Sequence, residues 1–323
     1  MNVVSLFSGI GGLDKGFSDN GFDVIWANDF DKYAVETYRR NYRNKIVQGD
    51  INQIGFDEIP DFDVLIGGFP CQPFSMMGEQ LGFKEARGTL FFRVAEIIQD
   101  KINRKRKPKA IILENVKGLK THNHGITYAT ILHVLQHELG YKVFCDVLNS
   151  ADYGVPQTRN RTYIVCFSNE NADFIFPEKQ PLTITLSQLL EDNVAEKYYL
   201  SNKIKKTVCS NGTGGYVATS EINLAVARPL CATMAKMHRA CQDNYVSDQG
   251  HRLAQIGNLD EERIRRLTPR ECARLQGFED TFSIENTSDC QLYKQFGNAV
   301  TVNVSRAVAR SVRHTLEVLN EWN

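Results

Sequence analysis

Short runs of β-branched and other apolar residues alternate with amphipathic stretches through the first half of the chain. These runs predict seven strands, at 3–7, 23–27, 46–48, 63–67, 110–114, 142–148 and 163–167. Helices are expected from the first glycine-rich turn to about Asn20 and over Lys32–Tyr42. Strands that alternate with helices are typical of a doubly wound α/β domain with a mostly parallel sheet. Such sheets bind ligands at the carboxyl ends of their strands.

The pattern becomes irregular after about Pro177 and stays irregular to about Arg263, which predicts a second, smaller domain. A short helix is expected over Arg265–Gly277, opened by Thr268 with a proline at the first helical position. A long helix at about Val300–Asn320 is expected to end the chain. The expected divisions are therefore 1–178, 179–292 and a C-terminal helical segment at 293–323.

Composition narrows the class of protein. The 323 residues are 42% hydrophobic and 24% charged, as in ordinary globular enzymes. No apolar run has the ~18 residues that a membrane helix needs, and the first residues lack the pattern of a signal peptide. We therefore expect a cytoplasmic protein with reduced thiols. The net charge of zero argues mildly against a nucleic-acid partner, although an acidic face can offset a basic one.

The first three strand ends carry residues that suit adenosine. Phe7–Gly12 is a glycine-rich turn that lets a ligand approach the backbone, and Asp14 stands where a dinucleotide fingerprint requires glycine. Asp29 could accept hydrogen bonds from ribose hydroxyls, Phe30 could stack on adenine, and Asp50 could accept from its amino group. A helix cap is the alternative for Asp29. This set, which lacks a phosphate cradle, suits S-adenosylmethionine better than a nicotinamide dinucleotide.

A cysteine between two prolines follows the fourth strand. Pro70 and Pro73 stiffen the loop around Cys71, and a nucleophilic thiol needs such positioning. A buried, inert cysteine is the alternative interpretation. The eight cysteines form no C-x-x-C pair, so no structural zinc site is expected.

Charged residues adjoin the later strands. Glu114 ends the fifth strand, where a carboxyl group could serve beside a thiol. Arg159 and Arg161 lie two apart in an extended segment, so we expect them to face the same side, toward Glu114, a base carbonyl or a phosphate. Surface charge is the alternative for each arginine. The basic run Lys101–Lys109 is interpreted first as a solvated helix end and second as a phosphate-contacting patch.

Taken together, these motifs resemble those of bacterial-type cytosine-C5 DNA methyltransferases of restriction-modification systems. The matching motifs follow the family order and are Phe7–Gly12, Pro70–Gln72, Arg87–Phe92, Glu114–Val116, Gln157–Arg161, Arg266–Phe278 and Gln295–Val300. The resemblance implies a Rossmann-like, S-adenosylmethionine-dependent catalytic domain at 1–178, a target-recognition domain at 179–292, and a C-terminal helix that returns to the catalytic domain.

The resemblance also implies roles for individual residues. The catalytic residues would be Cys71, Glu114, Arg159 and Arg161. The cofactor would be bound by Phe7, Ser8, Gly9, Gly11, Gly12, Asp29, Phe30, Asp50, Ile51, Leu90, Asn298 and Val300. Gln72 and Ser75 would contact the DNA, and no metal is expected. Asp29 stands where the family usually has glutamate, so the adenosine is expected to lie slightly deeper.

The expected activity is methyl transfer from S-adenosylmethionine to C5 of a flipped cytosine in a specific double-stranded DNA sequence. A cognate restriction endonuclease is a candidate partner, and a monomer is the default state. One alternative is an RNA cytosine methyltransferase with the same motifs; the long unmatched segment favours DNA. A non-catalytic DNA-binding regulator is disfavoured by the intact catalytic set. A nicotinamide dehydrogenase is disfavoured by the spacing of the glycines.

Overall fold

The computed structural model describes residues 1–70, 90–213 and 216–322. The chain divides into two compact units. The first comprises Met1–Asn149, Asn160–Glu178 and Val304–Asn323, and the second comprises Ser150–Arg159 and Lys179–Asn303. The second unit thus takes up 150–159 and 293–303, which the expected divisions assigned elsewhere. The catalytic and recognition roles expected for these parts stay predictions.

The described part of the first unit contains a seven-stranded sheet. Its strands are β1 (Asn2–Leu6), β2 (Asp23–Asp29), β3 (Lys45–Gln48), β4 (Val64–Gly68), β5 (Ala110–Val116), β6 (Lys142–Asn149) and β7 (Asn160–Phe167). Their order is β3-β2-β1-β4-β5-β7-β6, and the pairs are parallel except the two that involve β7. The central strands β1, β4 and β5 are buried almost throughout, as in sheets that are covered on both faces.

The antiparallel strand β7 changes which residues meet at the edge formed by the strand ends. Val116, at the carboxyl end of β5, pairs with Arg161 at the beginning of β7. On the other side, Asn149 at the carboxyl end of β6 pairs with Asn160. Asn160 and Arg161, which begin the seventh strand, therefore lie at the same edge as the residues that end β5 and β6.

Helices of the first unit are α1 (Gly12–Ser18), α2 (Lys32–Asn41), α3 (Leu90–Asn103) and α4 (Ile126–His133), which a π-helical turn continues over Val134–Glu138. Short 3-10 turns lie at Ile51–Gln53, Phe56–Glu58, Lys117–Lys120 and His122–Gly125. Helix α3 contributes Phe91, Ile97 and Ile98 to an apolar cluster that also contains Trp26 and Ile111. This cluster forms the core of the unit beneath the strand ends.

The second unit has short elements. They are β8 (Gly212–Thr213), β9 (Tyr216–Val217), β10 (Tyr245–Ser247), β11 (Ile264–Arg266), α5 (Asn202–Val208), α6 (Pro269–Leu275) and α7 (Asp289–Asn298), with 3-10 turns at Ser150–Tyr153, Leu186–Leu189, Glu196–Tyr198, Met234–Lys236 and Leu253–Gln255. Strands β8 and β9 pair antiparallel, as do β10 and β11. The helix expected over Arg265–Gly277 begins only at Pro269, after a capping box in which Thr268 and Glu271 bind each other's backbone N–H.

The last helix, α8 (Val302–Val318), contacts α1 within the first unit. Its Ser305 hydroxyl donates to the Leu13 carbonyl at 2.8 Å. A Cβ at Gly16 would lie 2.3 Å from Ser305 Oγ, so only glycine allows this approach. Four of the buried side chains of α8 recur every four residues and so lie on one face of the helix: Val304, Val308, Val312 and Leu316. None of the helices in the described ranges combines the length and apolar character needed to cross a membrane.

Candidate active site

The loop Phe7–Gly12 leaves β1 in a backbone conformation that few residues adopt. Phe7 has a φ of 54° and Gly9 has a φ of 55°. A bulky residue at positive φ is strained, and such strain is typical of functional sites. The Ser8 N–H donates to the Asn28 carbonyl at 2.9 Å, which ties the loop to β2.

The two sides of this loop differ in what they face. The Tyr42 hydroxyl donates to the Gly11 carbonyl at 2.9 Å, and a Cβ on Gly11 would lie 2.4 Å from the Tyr42 ring. Gly12 is buried at the beginning of α1. By contrast, a Cβ on Gly9 would meet nothing within 4 Å. The loop is therefore packed against protein at Gly11 and faces open space at Gly9, where a ligand can approach the backbone.

The carboxylate of Asp29 is oriented by two backbone donors. The Gly9 N–H donates to Oδ2 and the Asp31 N–H donates to Oδ1, each at 2.8 Å. The alternative of a helix cap is wrong for Asp29, because Asp31 caps α2 and accepts from the Tyr33 N–H. Asp29 instead joins the end of β2 to the glycine loop, and the adjacent Phe30 side chain is 74% exposed.

The end of β3 lies beside this group. The Gly49 N–H donates to the Asp29 carbonyl at 3.0 Å, and a Cβ on Gly49 would meet nothing within 4 Å. Asp50 is exposed and accepts from the Asn52 N–H at 3.0 Å. Ile51, expected to bind cofactor, is only 2% exposed and belongs to the apolar core. Its side chain therefore packs in the core, and a role of Ile51 in cofactor binding stays a prediction.

These residues fit an adenosine-containing group. Carboxylates at Asp29 and Asp50 are acceptors that suit hydroxyl and amino donors, and Phe30 offers an exposed ring for stacking. Gly9 and Gly49 leave the space that a bound molecule needs. Among the described residues, no group of three or more His, Cys, Asp or Glu side chains could hold a metal ion.

A carboxylate and a guanidinium meet further along the same edge. Arg161 Nε lies 3.1 Å from Glu114 Oε1, and the two side chains are 21% and 10% exposed. The pairing of β5 with antiparallel β7 brings them together. On the other side of β5, Glu114 pairs in register with Gly68 at the end of β4. The pair therefore lies close to the point where the chain leaves β4.

Asn115 holds the same exit from β4. Its Nδ2 donates to the Phe69 carbonyl at 2.8 Å, and the side chain is buried. This contact was not predicted, although a polar residue inside an apolar strand is a signal that a hydrogen-bond partner must exist. Cys71, Gln72 and Ser75, on which the expected nucleophile and DNA contacts fall, lie outside the described residues.

Arg159 has partners of a different kind. Its side chain is 2% exposed, and the guanidinium donates to the carbonyls of Leu230, Gly297 and Ala299 at 2.9–3.0 Å within the second unit. Arg161, by contrast, belongs to the first unit. The two arginines therefore have different described partners, and the catalytic roles expected for Arg159 and Arg161 stay predictions.

The remaining cofactor candidates are spread over both units. Leu90 is half-buried at the beginning of α3 and packs against the core of the first unit. Asn298 is the exposed last residue of α7, and Val300 is half-buried two residues later; both belong to the second unit. Arg159 holds the carbonyls on both sides of Asn298, and this determines the course of the backbone there.

The basic run at 101–109 is used largely for contacts within the first unit. Lys101 is buried and donates to the Ile59 carbonyl at 2.7 Å. Arg104 pairs with Asp57 at 2.6 Å, and Lys107 donates to the Gly140 carbonyl at 2.8 Å. These contacts favour the interpretation as a helix end over that of a phosphate-binding patch.

The chain is similar to known proteins in both sequence and fold. A family model described as C-5 cytosine-specific DNA methylase matches residues 1–314. The chain is 39% identical over 325 residues to the type II methyltransferase M.NlaX of Neisseria lactamica, covering 99% of this chain and 98% of that protein. It is 40% identical to M.HaeII of Haemophilus aegyptius, covering 98% and 94% respectively.

Solved structures with the same fold are more distant in sequence. A methyltransferase of Entamoeba histolytica, EhMeth, matches with a TM-score of 0.77 at 21% identity, covering 99% of this chain and 98% of that one. The Dnmt2 methyltransferase of S. pombe matches with a TM-score of 0.73 at 19% identity, covering 99% of each chain. At these identities the likeness concerns the fold alone, and it confirms the expected Rossmann-like α/β class.

Proposed function

Because the chain belongs to the family of C-5 cytosine-specific DNA methylases, we propose that it is the modification enzyme of a type II restriction-modification system and uses S-adenosylmethionine as methyl donor. The resemblance inferred from the motifs is confirmed, and the protein is a DNA (cytosine-5-)-methyltransferase. The observation that carries the finer proposal is the pair of Glu114 and Arg161, which lies beside the exit of β4 toward Pro70 and Cys71.

S-adenosylmethionine, when bound, supplies an electrophilic methyl group on its sulfonium. We assign its adenosine to the open side of the glycine loop at Gly9, with the ribose hydroxyls donating to Asp29 and the adenine near Phe30 and Asp50. The two backbone N–H groups that orient Asp29 support this assignment, because a fixed acceptor loses little conformational freedom on binding.

Cytosine C5 is a poor nucleophile, so the enzyme must activate the ring. In the proposed mechanism the Cys71 thiolate adds to C6, which makes C5 enamine-like and able to accept the methyl group. Glu114 binds N3 and the exocyclic amine and stabilises the charge that develops on the ring. A base then removes the C5 proton, the electron pair of the C5–H bond restores the double bond, and Cys71 leaves.

Arg161 has a positioning role in this scheme. Its Nε lies 3.1 Å from Glu114, which orients the carboxylate, and its other donors suit the carbonyl oxygen of the base. Arg159 is assigned a supporting role, because its guanidinium holds backbone carbonyls of the second unit.

The chemistry requires that the target cytosine leave the duplex, because C6 cannot be attacked within a base stack. We propose that Gln72 and Ser75 contact the DNA from which the base is flipped. Residues 179–292, which belong to the second unit, are proposed to read the sequence around it. A cytoplasmic location is also proposed, since modification enzymes of this type act on cellular DNA. A cognate endonuclease and a monomeric state are further proposals.

Transfer of labelled methyl groups tests the proposal. The protein is incubated with labelled S-adenosylmethionine and either unmethylated double-stranded DNA or transfer RNA, and the modified base is identified. Label at cytosine C5 of DNA alone, at a recurrent sequence, is expected. Label in RNA alone would mean that the substrate is RNA and not DNA. Binding of cofactor without methyl transfer to either nucleic acid would favour a non-catalytic regulator.

A further inference from the structure

A buried carboxyl group lies beneath the glycine loop. Asp14, in the first turn of α1, is 0% exposed. Its Oδ1 accepts from the Ser5 hydroxyl at 2.7 Å, and its Oδ2 accepts from the Tyr38 hydroxyl of α2 at 2.5 Å. The Ser8 hydroxyl in turn donates to Ser5 Oγ at 2.9 Å. Asp14 therefore joins the end of β1, the loop and α2 in one network.

Burying this carboxyl group is costly. Burial, with a smaller contribution from the nearby Asp29, raises the pKa of Asp14 from its ordinary value of 3.8 to about 6, although the hydrogen bonds from Tyr38 and Ser5 lower it. Burial and the adjacent Asp14 raise the pKa of Tyr38 well above its ordinary range, so Tyr38 stays a proton donor at neutral pH. A buried charge persists in a fold only when hydrogen bonds compensate for its lost hydration. The bonds from Ser5 and Tyr38 provide this compensation.

The network encloses the strained loop from both sides. Ser5 precedes Phe7–Gly12 and Asp14 follows it, so the bond between their side chains holds together the two chain segments that flank the loop. Helix α2 adds a second contact, because Tyr42 binds the Gly11 carbonyl and packs on Tyr38 with the ring centroids 4.5 Å apart. The positive φ of Phe7 is thus maintained by groups that lie beneath the ligand-facing side.

We propose that Asp14 is a positioning residue for cofactor binding: through Ser5 and Tyr38 it holds the Phe7–Gly12 loop in the geometry that receives S-adenosylmethionine. The proposal rests on the proposed function of this loop. Asp14 itself is fully buried and does not touch the ligand. Without the Asp14 carboxylate, the loop must become ordered when the cofactor binds, and this loss of conformational entropy weakens binding. In the native protein the network orders the loop before binding.

Calorimetric titration with S-adenosylmethionine tests the proposal on the full chain. Asp14→Asn is expected to raise the Kd about tenfold, and Tyr38→Phe, which removes one bond and keeps the ring, about threefold. Asp19→Asn is the matched control, since this acid ends the same helix in surface ion pairs with Lys15 and Arg306. It should leave the Kd within about twofold of the wild type. In turnover assays, Asp14→Asn should raise the KM for the cofactor and leave kcat at saturating cofactor unchanged.

A readout without cofactor completes the test. The amide resonances of Gly9 and Gly11 in the unliganded protein should shift in Asp14→Asn and stay in place in Asp19→Asn. An unchanged Kd in Asp14→Asn, or an equal loss in Asp19→Asn, overturns the inference; if Asp14→Asn does not fold, an unchanged Kd in Tyr38→Phe does so. A wild-type chain that binds no cofactor overturns the proposed function as well, which distinguishes the two failures.

Discussion

The two compact units hold their backbones in place by different means. In the first unit, hydrogen bonds between neighbouring strands pair the backbone across the sheet. In the second unit, buried cationic side chains do much of this work. The Lys205 ammonium, for example, donates to the carbonyls of Leu259, Asp260 and Glu262, and Arg159 does the same for Leu230, Gly297 and Ala299.

This difference predicts which substitutions affect activity and which affect stability. Where strands pair with one another, the ladder does not need the side chains at the strand ends, as at Phe30, which is 74% exposed. Side chains that bind buried backbone carbonyls, such as Lys205 and Arg159, are called committed residues here. Their removal leaves buried acceptors without donors. Substitutions at the sheet edge should therefore reduce binding or catalysis, whereas substitutions among the committed residues should reduce stability.

The largest effect is expected at Cys71, the proposed nucleophile. Cys71→Ala should abolish methyl transfer, a loss on the order of 10⁴-fold or more, because the proposed mechanism assigns the addition to C6 to the Cys71 thiolate. Cofactor affinity and the urea midpoint should stay as in the wild type. Cys290→Ala, which changes an exposed cysteine of the second unit, is the control and should keep full turnover. Methyl transfer retained by Cys71→Ala would refute the mechanism.

A large loss of stability is expected at a glycine of the second unit. A Cβ on Gly297 would lie 2.2 Å from the Ala232 nitrogen and 2.3 Å from the Cys231 carbonyl carbon, so Gly297→Ala must displace backbone. We expect the free energy of unfolding to fall by about 4 kcal/mol in urea denaturation. At Gly257 a Cβ would meet nothing within 4 Å, so Gly257→Ala should be nearly neutral. Similar losses in both variants would count against this close contact.

In the first unit, the buried carboxyl group of Asp14 makes the free energy of unfolding depend on pH. The folded-state pKa of Asp14 is about 6 and its ordinary value is 3.8, so the protonated form favours folding. This contribution is complete below about pH 4 and is lost as the pH rises through about 6. The charged and titratable groups around it are Asp29, Tyr38 and Tyr42.

Asp14→Asn removes this titration. Relative to that variant, the wild type should lose about 2 kcal/mol of unfolding free energy between pH 4 and pH 7. Urea denaturation of both proteins across this range measures the difference. Parallel pH profiles would show that Asp14 does not titrate with a raised pKa.

The smallest effect in this series is expected at Asp29, which is proposed to bind the ribose. Asp29→Ala should weaken binding of S-adenosylmethionine by about ten- to a hundredfold, because it removes a charged acceptor that the Gly9 and Asp31 N–H groups orient. Asp31→Ala is the matched control. It should lower stability by about 1 kcal/mol through loss of the α2 cap, with little change in cofactor affinity. If Asp31→Ala weakened cofactor binding and Asp29→Ala did not, Asp31 and not Asp29 would be the residue that binds the cofactor.

Sequence alone determined the first unit to a large extent. Its seven strands were predicted within a few residues, because central strands of a parallel sheet are continuous apolar runs that stand out between glycine-rich turns. The motifs also predicted the family, since residues at consecutive strand ends converge at one edge whatever the details of packing. The same reasoning predicted Glu114 and Arg161 as neighbours, which lie 3.1 Å apart.

Tertiary structure decided what local pattern does not encode. Nothing in the spacing of Arg159 and Arg161 shows that one binds distant carbonyls and the other a carboxylate, because their partners lie up to 140 residues away along the chain. For similar reasons, local pattern did not show that Asp31 and not Asp29 caps α2, or that the Ile51 side chain packs in the core. Asp14 shows the principle most clearly: in the sequence it only argued against a dinucleotide site, and its burial with Ser5 and Tyr38 exists only once β1, α1 and α2 have packed together.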